Sequence, residues 1–211
     1  MGLRRIDHFY KGCVDPQTLY IKIDDDEVWM KPNALKNLIE FRLQHPQYFL
    51  VFPNIINNVI CTHLHQSIRV LPYLWGSFTH DPFCELSWVD GSMAQKIHEQ
   101  FFYQQEQQAF EAYRLPTWIL ADYIRTSINC IAWMVRDFGC FKGIIPHNDE
   151  QMLSSTIPQA LMRLCVIDGK TLICHYAYGP QRAYLDRTEV LASYYHLAKP
   201  LEKQLSSRYT F

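Results

Sequence analysis

The chain has 211 residues, of which 48% are hydrophobic, 14% aromatic and 19% charged, with a formal net charge of −1. That length supports one domain with its own core. The near-neutral balance argues against the basic footprint of a nucleic-acid binder, and no run approaches the ~18 apolar residues of a membrane span.

Nothing behind Met1-Gly2-Leu3-Arg4-Arg5-Ile6 resembles the apolar stretch of a secretory signal. The seven cysteines contain no C-x-x-C pair, which speaks against zinc ribbons and redox motifs. Cys130, Cys165 and Cys174 lie inside apolar runs and read as buried thiols. A reducing, cytoplasmic setting is therefore expected. There is no internal repeat and no obvious linker, so a single domain over 1–211 is expected, with a core at about 15–185 and a C-terminal helical tail at 186–211.

Residues 3–12 read as a short amphipathic helix ended by Gly12, and Asp15-Pro16 as a turn. Ile21 and Ile23 alternate with Tyr20 and Lys22, as in a half-buried strand. That strand runs into Asp24-Asp25-Asp26, and Val28 to Met30 would continue it briefly. Three adjacent carboxylates repel one another and give a core nothing. A hard divalent cation would make such a cluster tolerable, at the strand end where open α/β sheets bind ligands. The competing reading is a solvated acidic turn.

A helix is expected from Asn33, its N-cap, with Leu35, Leu38, Ile39 and Leu43 at helical spacing and His45-Pro46 as its end. Phe49 to Phe52 is a continuous apolar strand. Strand, helix and strand together suggest a parallel unit covered on both faces. Asn54-Ile55-Ile56-Asn57-Asn58 would then reach the same sheet edge as the acidic triplet, where the amides would either hold polar ligand groups or simply cap turns.

Asp90-Gly91-Ser92 reads as a turn and N-cap opening a helix to about Phe102. The Gln/Glu-rich stretch 104–112 suits a solvated helix face. The apolar pattern over 118–138, with Trp118, Ile119, Tyr123, Ile128, Ile131 and Trp133, fits helix and strand in part, with helix preferred. Asp149-Glu150-Gln151 would open a short helix before Pro158, since the helix dipole favours acidic residues in a first turn. Asp168-Gly169-Lys170 between two apolar runs predicts a hairpin whose second strand ends at Cys174-His175-Tyr176. A peripheral helix is expected around 187–198. Taken singly, Asp149 and Glu150 also suit a plain helix start, and His175 a hydrogen-bonded structural histidine.

The run Tyr20-Ile21-Lys22-Ile23-Asp24-Asp25-Asp26-Glu27-Val28-Trp29 resembles the DxD strand of nucleotide-sugar-dependent glycosyltransferases of the GT-A fold. It is closest to the K-x-D-D-D form of galactosyltransferase- and fringe-like enzymes. Asp149-Glu150 and His175 follow in the order that fold would place its acidic base motif and its C-terminal metal-binding histidine. The segments Asn148-Asp149-Glu150-Gln151 and His175-Tyr176-Ala177-Tyr178 through Gln181 are similar to those of microbial and fungal glycosyltransferase-like proteins. The resemblance covers about residues 15–185. It implies an α/β, Rossmann-like mixed sheet flanked by helices and a Mn²⁺ or Mg²⁺ cofactor. The expected donor is a nucleotide-diphosphate sugar, in the first instance a UDP-sugar, and the acceptor a hydroxyl of a glycan, protein or small molecule.

By the same resemblance Asp26 would ligate the metal. Asp24 would reach metal or ribose, Asp25 would assist at the donor, and His175 would complete the metal shell. Asp149 or Glu150 would take the acceptor proton, with Asp149 preferred. Asp90 and Gly91 would line the donor pocket, Trp88 and Trp133 would offer stacking surfaces, and His147 would approach substrate. In the fold it resembles, nucleobase-binding βαβ units precede the acidic strand, whereas 23 residues precede Asp24 here. The resemblance thus implies a domain shortened at its N-terminal side, and a non-catalytic glycan- or protein-binding remnant is the alternative. A metal-dependent phosphohydrolase is a weaker third reading, because His63 and His65, two apart, would not share a helix face.

Overall fold

The computed structural model describes residues 10–13, 15–138, 145 and 148–208. The predicted helix at 3–12 lies outside them except for one helical turn at 10–12, and His147 and Cys140 also lie outside. The chain forms β1 (Leu19–Ile23), β2 (Glu27–Met30), α1 (Ala34–Gln44), β3 (Val51–Ile56), α2 (Val59–Ser67) and α3 (Gly91–Glu106). It continues through β4 (Trp118–Leu120), β5 (Cys130–Met134), α4 (Val135–Phe138), α5 (Asp149–Gln151), α6 (Ile157–Ala160), β6 (Cys165–His175), α7 (Gly179–Leu185) and α8 (Val190–Arg208).

The strands make one mixed sheet in the order β1-β5-β3-β6-β2, with β4 also paired to β6. Helices flank it, so the α/β class and the mixed sheet stand as the sequence predicts. β1 and β3 run the same way, yet β5 lies between them, antiparallel to both. The predicted parallel neighbours are therefore separated, and β3 finds its parallel partner in β6. Two apolar cores hold the helices. One joins Leu38, Leu64, Trp133, Leu153 and Ile157, and the other joins Ile56, Ile97, Phe101, Leu185 and Tyr194.

Four predicted elements need correction, each for a physical reason. Residues 130–134 form a strand, not a helix. As the partner of both β1 and β3, β5 is buried at every position, so its sequence lacks the alternation that marks a half-exposed strand. Asp168-Gly169-Lys170 does not reverse the chain. It is an excursion within β6, where the pairing with β3 jumps from Pro53↔Asp168 to Asn54↔Leu172. Pro53 has no N–H to give, and it falls where the ladder is interrupted. The Asp168 carboxylate closes the excursion by accepting from Lys170 N at 3.1 Å and Thr171 Oγ1 at 2.5 Å. A Cβ on Gly169 would stand 2.1 Å from the carbonyl oxygen of Leu115, which explains the glycine.

Val28 to Met30 do not extend β1. The Glu27 N–H bonds the Asp24 carbonyl at 3.3 Å, the chain turns, and β2 pairs with β6 instead. Helix α1 starts where expected, but Asn33 has φ 65° and its side chain makes no cap bond. The helix also buries Ala34, Leu38 and Arg42, leaving Leu35, Ile39 and Leu43 exposed.

Two buried histidines favour the fold less as pH falls. Asn54 uses its Nδ2 on the carbonyls of Tyr113 and Gly169, so its Oδ1 accepts from Nε2–H of His65 at 2.7 Å. His98 is bonded at 2.8 Å to the Tyr194 hydroxyl and at 2.9 Å to the Tyr176 carbonyl. Burial lowers their pKa values to about 3 for His65 and about 4 for His98. Both are neutral in the folded protein while the unfolded chain takes up protons below ~6.5, so their contribution to stability falls as pH drops from 6.5 toward 4. Each contributes a loss of about 2 kcal/mol at pH 5 relative to pH 7.5. Glu27 acts in the opposite sense: its pKa, raised by burial to about 8, adds stability as pH falls over the same range and offsets much of that loss. The histidines are therefore read directly, as two imidazole NMR signals that do not titrate between about pH 7.5 and 5. Imidazole signals of His65 and His98 that titrate with an ordinary midpoint would contradict this assignment.

Candidate functional site

A cavity of about 650 Å³ opens at the end of the sheet where β1 and β6 finish. That volume lies within the usual range for small-molecule sites. Lys22 to Asp26, residues 127–129 ahead of and opening β5, Asp149 and Glu150 of α5, and His175 with the 177–179 loop line it. Residues more than 120 positions apart in sequence thus share one wall.

The acidic triplet sits in the β1–β2 turn, anchored through its backbone. Asp24 N–H donates to the Asn129 carbonyl at 2.8 Å, and the Asp26 carbonyl accepts from Tyr176 N at 2.9 Å. The Asp24 carboxylate bonds the Lys22 ammonium, which also donates to the Ile128 carbonyl at 2.8 Å. Burial raises the Asp24 pKa, with Lys22 opposing. Burial also acts upward on Asp26, but the His175 bond and the Arg182 charge outweigh it and hold that carboxyl below its ordinary value.

His175 Nε2 lies 3.5 Å from Asp26 Oδ2. Its other nitrogen, Nδ1, donates to the Asn57 carbonyl at 3.0 Å. That bond occupies Nδ1 and turns Nε2 toward the carboxylate, where the ring holds a second proton when charged and where a cation would take that proton's place. Burial pulls the His175 pKa down, yet Asp26 and Glu27 carry it above its ordinary value. The amides of the 54–58 segment are structural supports. Asn57 holds His175 and, through Nδ2, the Tyr176 carbonyl and Gln181, while Asn58 caps α2 and reaches Asn129 at 3.4 Å.

Asn148 caps α5 by accepting from Gln151 N at 3.1 Å, and Asp149 and Glu150 at the start of that helix line the same cavity. Asp149 Oδ2 accepts from the Tyr10 hydroxyl at 3.2 Å. Glu150 Oε1 is gripped by Arg125 from both Nε and Nη2 at 2.7 Å.

Asp90 and Gly91 do not line this cavity. The Asp90 carboxylate is taken up capping α3, accepting from Ser92 N at 2.8 Å and Met93 N at 3.0 Å. Gly91 lies against α7, where a Cβ would meet Tyr184 Cβ at 2.5 Å. Trp133 is buried in the core, stacked on Phe138, and Trp88 packs edge-on to Phe83, so neither forms part of the cavity wall.

Sequence reading missed four charged residues here. Lys22 entered the sequence reading only as a strand position and as the lysine of the K-x-D-D-D pattern, with no role, and here it pairs with Asp24. Arg125 and Arg182 gave no local signal. Glu27 opens β2 opposite His175, and both of its carboxylate oxygens are buried without a hydrogen-bond partner. Burial raises its pKa to about 8.

Among the described residues, no three His, Cys, Asp or Glu side chains are grouped closely enough to hold a metal ion by themselves. Asp26 and His175 supply two suitable donors. A hard cation that arrives with a phosphorylated ligand commonly takes one or two protein groups and completes its shell with phosphate and water, so the pair fits that chemistry. No protein-family model matches the chain, and no curated protein or solved structure matches it either. Among the described residues, no helix is long and apolar enough to cross a membrane.

Proposed function

We propose that this chain is a metal-dependent glycosyltransferase that moves a sugar from a nucleotide-diphosphate donor, a UDP-sugar first among them, to a hydroxyl acceptor. The observation that carries the reading is the convergence of Asp26, His175, Asp149 and Glu150 on one cavity. Asp26 and Nε2 of His175 would hold Mn²⁺ or Mg²⁺. When bound, the cation supplies positive charge against the diphosphate that leaves as the glycosidic bond to it breaks. The chain's own part is positional. The Asn57 bond orients His175, the Asn129 and Tyr176 bonds fix the acidic turn, and the capped α5 holds its carboxylates at the cavity.

Proton removal from the acceptor hydroxyl falls to Asp149. Glu150 is committed to Arg125 through two nitrogens, whereas Asp149 has a neutral phenol as partner. Asp25 lines the cavity beside the metal pair and would face the donor. Asp24, tied to Lys22, would act on the ribose side rather than on the metal.

The test is thermal unfolding with Mn²⁺ and UDP added separately and together. At a hundred times Kd the pair should stabilise the fold by about 2.7 kcal/mol, raising Tm by about 5–10 °C, and Asp26→Ala should abolish the shift. No shift in the wild type would defeat the proposal. One observation favours the alternative, a non-catalytic glycan- or protein-binding remnant: Asp24 and Asp26 are already neutralised by Lys22 and Arg182. That reading expects no Mn²⁺–UDP stabilisation.

A further inference from the structure

Resting on the metal-and-diphosphate reading of the cavity, we propose that Arg182 is a built-in counter-cation. It occupies Asp26 until a diphosphate draws it away, so that metal and nucleotide bind as a pair. Arg182 Nη2 donates to Asp26 Oδ2 at 2.6 Å, and this is the same oxygen that faces His175 Nε2 at 3.5 Å. The guanidinium therefore stands on the ligand atom that a cation would need. The positions exclude each other electrostatically, because a divalent ion and a guanidinium on one carboxylate oxygen are like charges at contact distance and repel.

Arg182 is also free to leave. Its side chain is 46% exposed, and its remaining contacts are weak: the Ala177 carbonyl at 3.5 Å and the Tyr176 ring at 5.7 Å. It projects from α7, which directly follows the Ala177-Tyr178-Gly179 stretch lining the cavity, so a rotamer change keeps it at the rim. A planar guanidinium there has the fork geometry that binds phosphate oxygens. The diphosphate thus offers Arg182 a second anion just as the metal claims the first. Metal alone must displace Arg182 with nothing in exchange. Metal with diphosphate exchanges one ion pair for two.

The experiment is calorimetric titration of Mn²⁺ alone, and of UDP in saturating Mn²⁺, into the wild type, Arg182→Ala and Arg182→Lys. Removing the competitor should tighten Mn²⁺ binding in Arg182→Ala roughly five- to tenfold, while UDP binding weakens by about tenfold or more. Arg182→Lys keeps the charge and should hold Mn²⁺ as weakly as the wild type. Metal-free thermal unfolding of each variant within a few degrees of the wild type shows that the fold is retained. Opposite changes in the two affinities are the signature. If Arg182→Ala leaves Mn²⁺ affinity unchanged or weakens it, or leaves UDP affinity unchanged, the counter-cation role is wrong although the site reading survives. A wild type that binds neither Mn²⁺ nor UDP removes the underlying reading itself.

Discussion

Replacing Asp137 by alanine is expected to lower the unfolding free energy by about 3–5 kcal/mol and Tm by about 10 °C. Arg42 of α1 is completely buried, and its guanidinium is bonded to the Asp137 carboxylate. Its other contact is the His45 carbonyl at 3.3 Å, and its Nε has no partner. Burial already lowers the Arg42 pKa against the pull of Asp137. Without the carboxylate, a cation would remain in the core uncompensated. Arg163 shares Asp137 through Nη1 at 2.5 Å, yet it also donates to the carbonyls of Pro46, Gln47 and Tyr48 and sits nearer the surface. Chemical denaturation of Asp137→Ala measures the loss. The double variant Arg42→Met/Asp137→Leu should recover most of it, since a buried pair is often replaceable by apolar groups of similar volume. A loss below about 1 kcal/mol in Asp137→Ala would show that the pair is not the anchor of α1 that its burial implies.

The second large effect concerns chemistry. Asp149→Asn should reduce sugar transfer by about 10²–10⁴-fold, the usual contribution of a general base. Because the proposal gives Asp149 to the acceptor and Asp26 and His175 to the metal, Mn²⁺–UDP affinity in that variant should stay within about threefold of the wild type. Glu150→Gln loses the Arg125 ion pair and should cost less than about tenfold in transfer. Initial rates of UDP release with acceptor present, together with calorimetry of UDP binding, separate these cases. Equal losses of turnover and of UDP affinity in Asp149→Asn would move that residue from the base to the donor pocket, and wild-type turnover would remove it from the mechanism.

Local chemistry was easiest to read where a residue's type and its backbone role coincide. Asp90 and Asn148 open helices at the expected places, and the acidic triplet lies in a turn at a strand end. The sheet edge shared by that triplet, His175 and Asn57 was also legible, because apolar runs and turn residues fix where strands stop. What sequence could not supply was which side chain neutralises which. Asp26 meets Arg182 across 156 positions, and Arg42 meets Asp137 across 95. Such pairings belong to tertiary packing and leave no periodic trace. The misread β5 and the misread excursion in β6 share one cause. A strand covered on both faces shows an unbroken apolar run, and a carboxylate that closes a loop within a strand looks locally like one that reverses a chain.

The interruption in β6 has a consequence for how this chain can vary in length. The segment before Asp168 is registered by β4 and the start of β3. The segment after Thr171 is registered independently by β2 and the end of β3. An insertion at the exposed Lys170 leaves the register of both half-strands unchanged and costs only the local closure made by buried Asp168, Gly169 and Thr171. One residue gained or lost between Leu172 and His175 reverses the side on which every later side chain projects, and turns the imidazole into the opposite layer. Reversal of register is therefore confined to the half-strand after Thr171, while a length change at Lys170 is a local cost.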